Sequence, residues 1–253
     1  MIHLATGGQA SPHMDTQSAV YDVARDFSQV LESWRLVYQV YNSSGLIGAN
    51  PYQIHAAPQL FHDQAAVFHK SIADRVVATF SAVCDGESGL PLDEVYRDEL
   101  DDMRASGRKI VEIAHLAVDS GQRNQNDSMP RTSMIQMTSF TLDFAREFGA
   151  DDLVIGIHPK HQRYYERAWG YEKIGAQRRY PIVNLYPVVM MRLDWRQALM
   201  RPRIPYALRY SHNNRVDSGF FDSRYPLANI RFGDPSSEMG AYIEMWRKLD
   251  AAA

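Results

Sequence analysis

Residues 110–118 are apolar on both alternating sets of positions, with Ile110, Ala114, Leu116 and Val118 on one and Val111, Ile113 and Ala117 on the other. Such a run predicts a strand buried on both faces of a mostly parallel sheet. Two residues break the pattern, Glu112 on one face and His115 on the other. An ionised carboxylate inside such a strand costs roughly several kcal/mol unless it is paired or opens onto a cleft. Glu112 is therefore either a salt-bridged structural residue or a general base raised towards neutrality by partial burial.

Downstream, Met134, Met137, Phe140, Phe144 and Phe148 recur at three- and four-residue steps, which predicts a helix over 131–148 with one stripe on the sheet and Gly149 as its C-cap. The apolar run 153–157 is then a second parallel strand, joined to the first by a right-handed crossover. A helix follows from Gln162 to Ala168, with Arg163 and Arg167 on its exposed face. Upstream, helical spacing is read over 17–25 from Val20, Val23 and Ala24, and over 27–41 from Val30, Leu31, Trp34, Val37, Tyr38 and Tyr41. Residues 67–85 predict a hairpin turning near 72–75, and 86–107 a turn and a helix with Asp93 near its start and Gly107 past its end. Beyond Trp195 the pattern weakens: Pro202, Pro205, Pro226 and Pro235 predict an extension, 196–253, that wraps the domain, with a short amphipathic helix over 239–249. Gly7, Gly8, Ser11 and Pro12 make residues 1–15 a flexible tail, leaving 16–195 as the domain.

A chain of 253 residues supports one substantial core with an appendage. Its net charge of −3 argues against a general nucleic-acid binder. Locally the balance inverts: over 158–180, Lys160, Arg163, Arg167, Lys173, Arg178 and Arg179 face Glu166 and Glu172. This is either a solvated face or a dock for an acidic partner. With Cys84 as its single cysteine the chain has no intramolecular disulfide, and that residue reads as a small buried hydrophobe. Nine histidines lack metal-ligand spacing, so no metal site is expected. Neither a signal peptide nor a membrane-spanning run is legible, and a cytoplasmic location is expected.

Residues 36–47, 89–107, 111–119 and 157–175, in the order hairpin, helix, strand with Glu112, helix, strand and aromatic helix, resemble the long-chain N-acyl amino acid synthases. These are GNAT-type acyltransferases related to the acyl-homoserine-lactone synthases. The Gly-Leu-Pro turn at 89–91, followed by an acidic helix, is the least generic part of the match. The resemblance implies an α/β fold whose mixed central sheet is flanked by helices and splayed at the Glu112 strand, opening a slot for a thioester arm. The arm would pair with exposed main chain of that strand near Leu116 and Val118.

It further implies an enzyme that moves a long-chain acyl group to the α-amine of an amino acid. Glu112 would be the base, His115 would join it at the slot if the strand carries a bulge, and Tyr165, or its neighbour Tyr164, would protonate the leaving thiolate. Arg35 is the candidate for the acceptor's carboxylate, with Trp34, Tyr38 and Tyr41 as pocket walls. Phe80, Met134 and Met137 would line an acyl tunnel or fill an ordinary core. Acetyltransferases that use coenzyme A carry a glycine-rich turn after this strand to cradle a pyrophosphate. Here residues 121–131 lack the paired small residues, which favours acyl carrier protein, with its phosphopantetheine arm, as donor and no permanently bound cofactor. Arg123, Arg131, Lys160, Arg163 and Arg167 would then be its docking charges. The alternatives are an acyl-CoA-dependent acetyltransferase with an atypical loop, and a non-catalytic acyl-carrier or acyl-lipid binding module.

Overall fold

The computed structural model describes residues 19–122, 131–217, 219–231 and 240–244. A seven-stranded mixed sheet runs through it in the order β1-β2-β3-β4-β5-β7-β6. The strands are β1 Val20–Val23, β2 Ala65–Ile72, β3 Arg75–Cys84, β4 Ile110–Val118, β5 Asp152–Ile157, β6 Glu172–Tyr180 and β7 Tyr186–Asp194. Helices α1 Phe27–Ser43, α2 Asp93–Ala105, α3 Arg131–Glu147 and α4 Gln162–Trp169 flank it, followed by the short α5 Trp195–Leu199, α6 Tyr206–Asn213 and α7 Ala228–Arg231.

The apolar run at 110–118 forms β4, antiparallel to β3 and parallel to β5. The helix between the two parallel strands is α3, whose Met137, Phe140 and Phe144 pack with Val111 and Ile113 of β4. On the opposite face, Ile110 joins Tyr96, Leu100 and Met103 of α2 and Val30 and Trp34 of α1. The 67–85 segment is the expected hairpin, turned by Ala73 and Asp74, both at positive φ (51° and 57°). That pairing of left-handed residues suits the twist of a two-residue hairpin.

One expectation needs correction. Residues 20–23 form strand β1 on the edge of the sheet, with Val20 opposite Ser71 and Val23 opposite Phe68, where helical spacing had been read. The sequence Val-Tyr-Asp-Val favours a strand, and the helix starts at Asp26, whose carboxylate caps the Gln29 N–H at 2.9 Å. Strands β6 and β7 were not legible individually. β6 lies at the far edge, largely exposed, and carries no buried stripe for a pattern to reveal.

The sheet is clasped at one end by ions. Asp152, fully buried at the start of β5, receives Arg108 at 2.6 Å and Arg192 at 2.8 Å. Segments after β7 pack back onto the domain: Phe221 meets Phe68 and Phe144 edge-on, and Phe220 stacks on Phe140. Residues 240–244 are helical, and Tyr242 Oη donates to Ala56 O and accepts from Ala56 N; the rest of the helix expected over 239–249 lies outside the described residues.

Candidate active site

Strands β4 and β5 are paired from Ile110 with Asp152 to Ile113 with Ile155 and no further. Beyond that point they part, and residues 114–117 of β4 have no ladder partner on β5. A cavity of about 790 Å³ opens at the split, lined by Glu112, Ala114, His115 and Leu116 of β4 and by Gly156 and Ile157 of β5. Tyr41, His55, Leu92 and Tyr180 and, from α3 and the segment before and within α4, Met134, Lys160, Tyr164 and Tyr165 complete the lining.

Glu112 is 3% exposed. Its Oε2 accepts the Leu92 N–H at 2.9 Å, and no salt bridge reaches it among the described residues. Burial holds its carboxyl well above the usual carboxylate range; the Leu92 N–H lowers it, while the charges of Asp93 and Asp85 raise it further. The Gly-Leu-Pro turn thus has a job that spacing alone did not disclose. Leu90 N–H is held by Asp93 at 2.7 Å, Pro91 O accepts Tyr180 Oη at 2.9 Å, and Leu92 N–H reaches the carboxyl. Arg104 anchors the whole by pairing with Asp93 and Asp85.

His115 reaches the same face because β4 is bulged. Thr79 opposes Ala117 and Ser81 opposes Ala114, so two residues, His115 and Leu116, stand against the single Phe80. His115 takes up the extra residue at φ 56°, a left-handed conformation uncommon outside glycine. The bulge shifts the alternation by one position, and His115 joins Glu112 in lining the cavity. Its ring packs edge-on against His55 at 5.5 Å, and His55 packs on Tyr41 at 5.4 Å. Burial depresses both imidazoles, His55 to about 4 and His115 to about 3, where His55 adds to the effect. Tyr165 is buried among Tyr164 and Tyr171, and burial raises its phenol far above the usual range.

The other expected site residues divide. Leu116, Met134, Lys160 and Tyr41 line the cavity. Trp34, Tyr38, Phe80, Met137 and Val118 do not; they are buried in packed core, with Trp34 edge-on to Phe61 and Phe80 stacked on Phe68. Arg35, half-buried on α1, is also absent from the lining. Lys160, Arg163 and Arg167 are exposed. Arg123 lies outside the described residues, as does the side chain of Arg131. Cys84 is buried and its thiol is pushed up to about 12, first by burial, which leaves it a protonated core residue.

Several lining residues were not foreseen: His55, Leu92, Gly156 and Tyr180. Gly156 carried a signal, being the small residue inside an apolar strand, which marks close approach of another group. A Cβ there would lie 2.7 Å from Leu92 Cδ2 and 3.2 Å from Val188 Cγ2. For His55, in an irregular segment, no signal was available.

A mixed sheet that splays beside a buried acid, with helices on both faces, has the architecture of the GNAT-type acyltransferases. The model of the family described as N-acyl amino acid synthase FeeM matches residues 32–194, and the chain belongs to that family. In structure it is similar to FeeM, an N-acyl amino acid synthase from uncultured soil microbes, at 26% identity and a TM-score of 0.63, covering 72% of this chain and 92% of that one. It is also similar to the AHL synthase LasI (13% identity, TM-score 0.49, 70% and 89% covered). A CoA-dependent acyl-homoserine lactone synthase, BjaI, matches at 12% identity and a TM-score of 0.48, with 78% and 100% covered. No curated protein matches the chain in sequence. Among the described residues no helix is long and apolar enough to cross a membrane.

Proposed function

We propose that the chain transfers a long-chain fatty acyl group from acyl carrier protein to the α-amine of an amino acid. The observation that carries this reading is the slot between β4 and β5, with a buried carboxyl on its wall and apolar side chains along it. Membership of the family described as N-acyl amino acid synthase supports an amino acid as acceptor. The donor is favoured by sequence: residues 121–131 lack the glycine-rich turn that would cradle a nucleotide pyrophosphate.

In this reading the thioester enters along the unpaired edge of β4 and the acyl chain runs past Leu116 and Met134. Glu112, whose raised carboxyl makes its ionised form a stronger base than a solvated carboxylate, removes a proton from the amine, whose nitrogen attacks the carbonyl carbon. A C–N bond forms and the carbonyl electrons move to oxygen. The oxyanion collapses, the C–S bond breaks, and the departing thiolate takes the proton of Tyr165, which burial keeps on the phenol at neutral pH. Glu112 and Tyr165 regain their starting states by proton exchange with solvent. The exposed charges of Lys160, Arg163 and Arg167 receive the acidic carrier protein, with Lys160 also at the cavity wall.

The test is direct. Purified protein is given acyl carrier protein or coenzyme A loaded with the same long acyl chain, together with a mixture of amino acids, and the products are read by mass spectrometry. N-acyl amino acids formed from the carrier-bound donor are expected. Product from coenzyme A alone overturns the donor assignment, and product on no amino acid overturns the acceptor.

A further inference from the structure

The bulge in β4 costs backbone strain, and what it delivers to the cavity is one imidazole. His115 sits two residues past Ile113, where β4 leaves β5, so an arm lying in the slot passes beside it. The side chain is 8% exposed, lines the cavity, and has an Nδ1 that is buried with no hydrogen-bond partner among the described residues. A buried N–H without an acceptor is the costlier state, so the proton belongs on Nε2 and Nδ1 keeps a bare lone pair.

We propose that His115, as a neutral imidazole, donates its Nε2–H to the thioester carbonyl oxygen and to the oxyanion that forms there, with His55 as the positioning residue behind it. The inference rests on the acyl-transfer reading above and names the group that stabilises its intermediate. His55 packs edge-on to the ring at 5.5 Å and is itself backed by Tyr41, and its backbone N–H donates to Trp34 O of α1 at 3.2 Å. The protonated form is suppressed, since burial and the neighbouring His55 push His115 to about 3. Such a ring is too weak a base to compete with Glu112 for the amine proton. It remains an effective donor, because a preorganised neutral N–H gains most where charge develops during the reaction. A permanent carboxylate is a poorer occupant of this spot, being desolvated against an uncharged ring.

The test combines kinetics with nitrogen NMR. His115→Ala is expected to lower kcat by about 100-fold with both KM values within about twofold, the signature of a lost oxyanion donor. His115→Gln, which retains an N–H at similar reach, is expected to recover part of kcat. Melting curves establish that both variants fold. In the wild type, 15N-labelled histidine should show His115 as the neutral Nε2–H tautomer throughout the assay range, and His55→Ala should abolish that single well-defined state. If the wild type makes no acylated amino acid, the acyl-transfer reading falls and this inference with it. If the wild type is active and His115→Ala keeps its kcat, or the NMR shows an Nδ1–H or a titrating imidazole, the inference falls and the reading stands.

Discussion

Leu92 donates its backbone N–H to Glu112 Oε2 at 2.9 Å, so the residue at the start of α2 holds the carboxyl in the middle of β4. The bond joins the least generic turn of the sequence to its most anomalous strand residue. It also explains why the turn is stiffly built, through Asp93, Arg104 and Tyr180.

Replacing Glu112 separates its chemistry from its cost. Glu112→Gln retains an oxygen for the Leu92 N–H but no base, and kcat should fall by about 100-fold or more. The carboxyl is raised in the folded state, so the folded protein keeps a proton that the unfolded chain releases. Stability from this group is therefore full below the ordinary carboxylate range and is lost as pH rises from there through the raised value of the folded state. Urea titrations should show wild type and variant alike near about pH 4 and the variant more stable at alkaline pH. A variant that is less stable at alkaline pH would contradict the raised carboxyl.

Gly156→Ala tests the packing behind that bond. The new methyl would press on Leu92 Cδ2 at 2.7 Å and on Val188. A stability loss of about 1–3 kcal/mol is expected from overpacking, measured by urea unfolding. Activity should fall beyond what that loss explains, since Leu92 is the hydrogen-bond partner of Glu112; unchanged kcat would show that the turn yields freely.

Phe80 and Met134 should behave differently although both looked like tunnel residues. Phe80 is buried and stacked on Phe68 at 5.0 Å, so Phe80→Ala is expected to cost about 3–5 kcal/mol. Met134 lines the cavity, and Met134→Ala should alter the preferred acyl length in a competition of mixed donors while leaving the melting temperature nearly unchanged.

Arg163 and Arg167 are exposed on α4 and serve the carrier-protein reading. Reversing both to Glu should raise KM for acyl carrier protein by about tenfold or more, leave KM for the amino acid alone, and flatten the dependence on salt. Equal kinetics in wild type and variant would move the dock to another face.

Much of the scaffold was readable from one sequence. The doubly apolar run of β4, the crossover helix α3 and the run of β5 each carry their period in full, because each buries a stripe or two faces against neighbours that any such segment needs. Glu112 stood out for the same reason, as a charge where the pattern allows none. At the sheet edges the pattern is ambiguous: the spacing of Val20 and Val23 fits a helix as well as strand β1, and exposed β6 offers no buried face. Periodicity states which side of an element is buried, not what lies against it. Only packing in three dimensions separates Trp34, Phe80 and Met137, which fill the core, from Tyr41, Leu116 and Met134, which face a cavity. It alone placed His55 beside His115, put the extra residue of the bulge at 115, and set Leu92 over Gly156, since each depends on contacts between segments far apart in the chain. The strand, its acid and the family are legible in one chain of letters; where β4 leaves β5, and hence what meets that acid, follows only from how the sheet is packed.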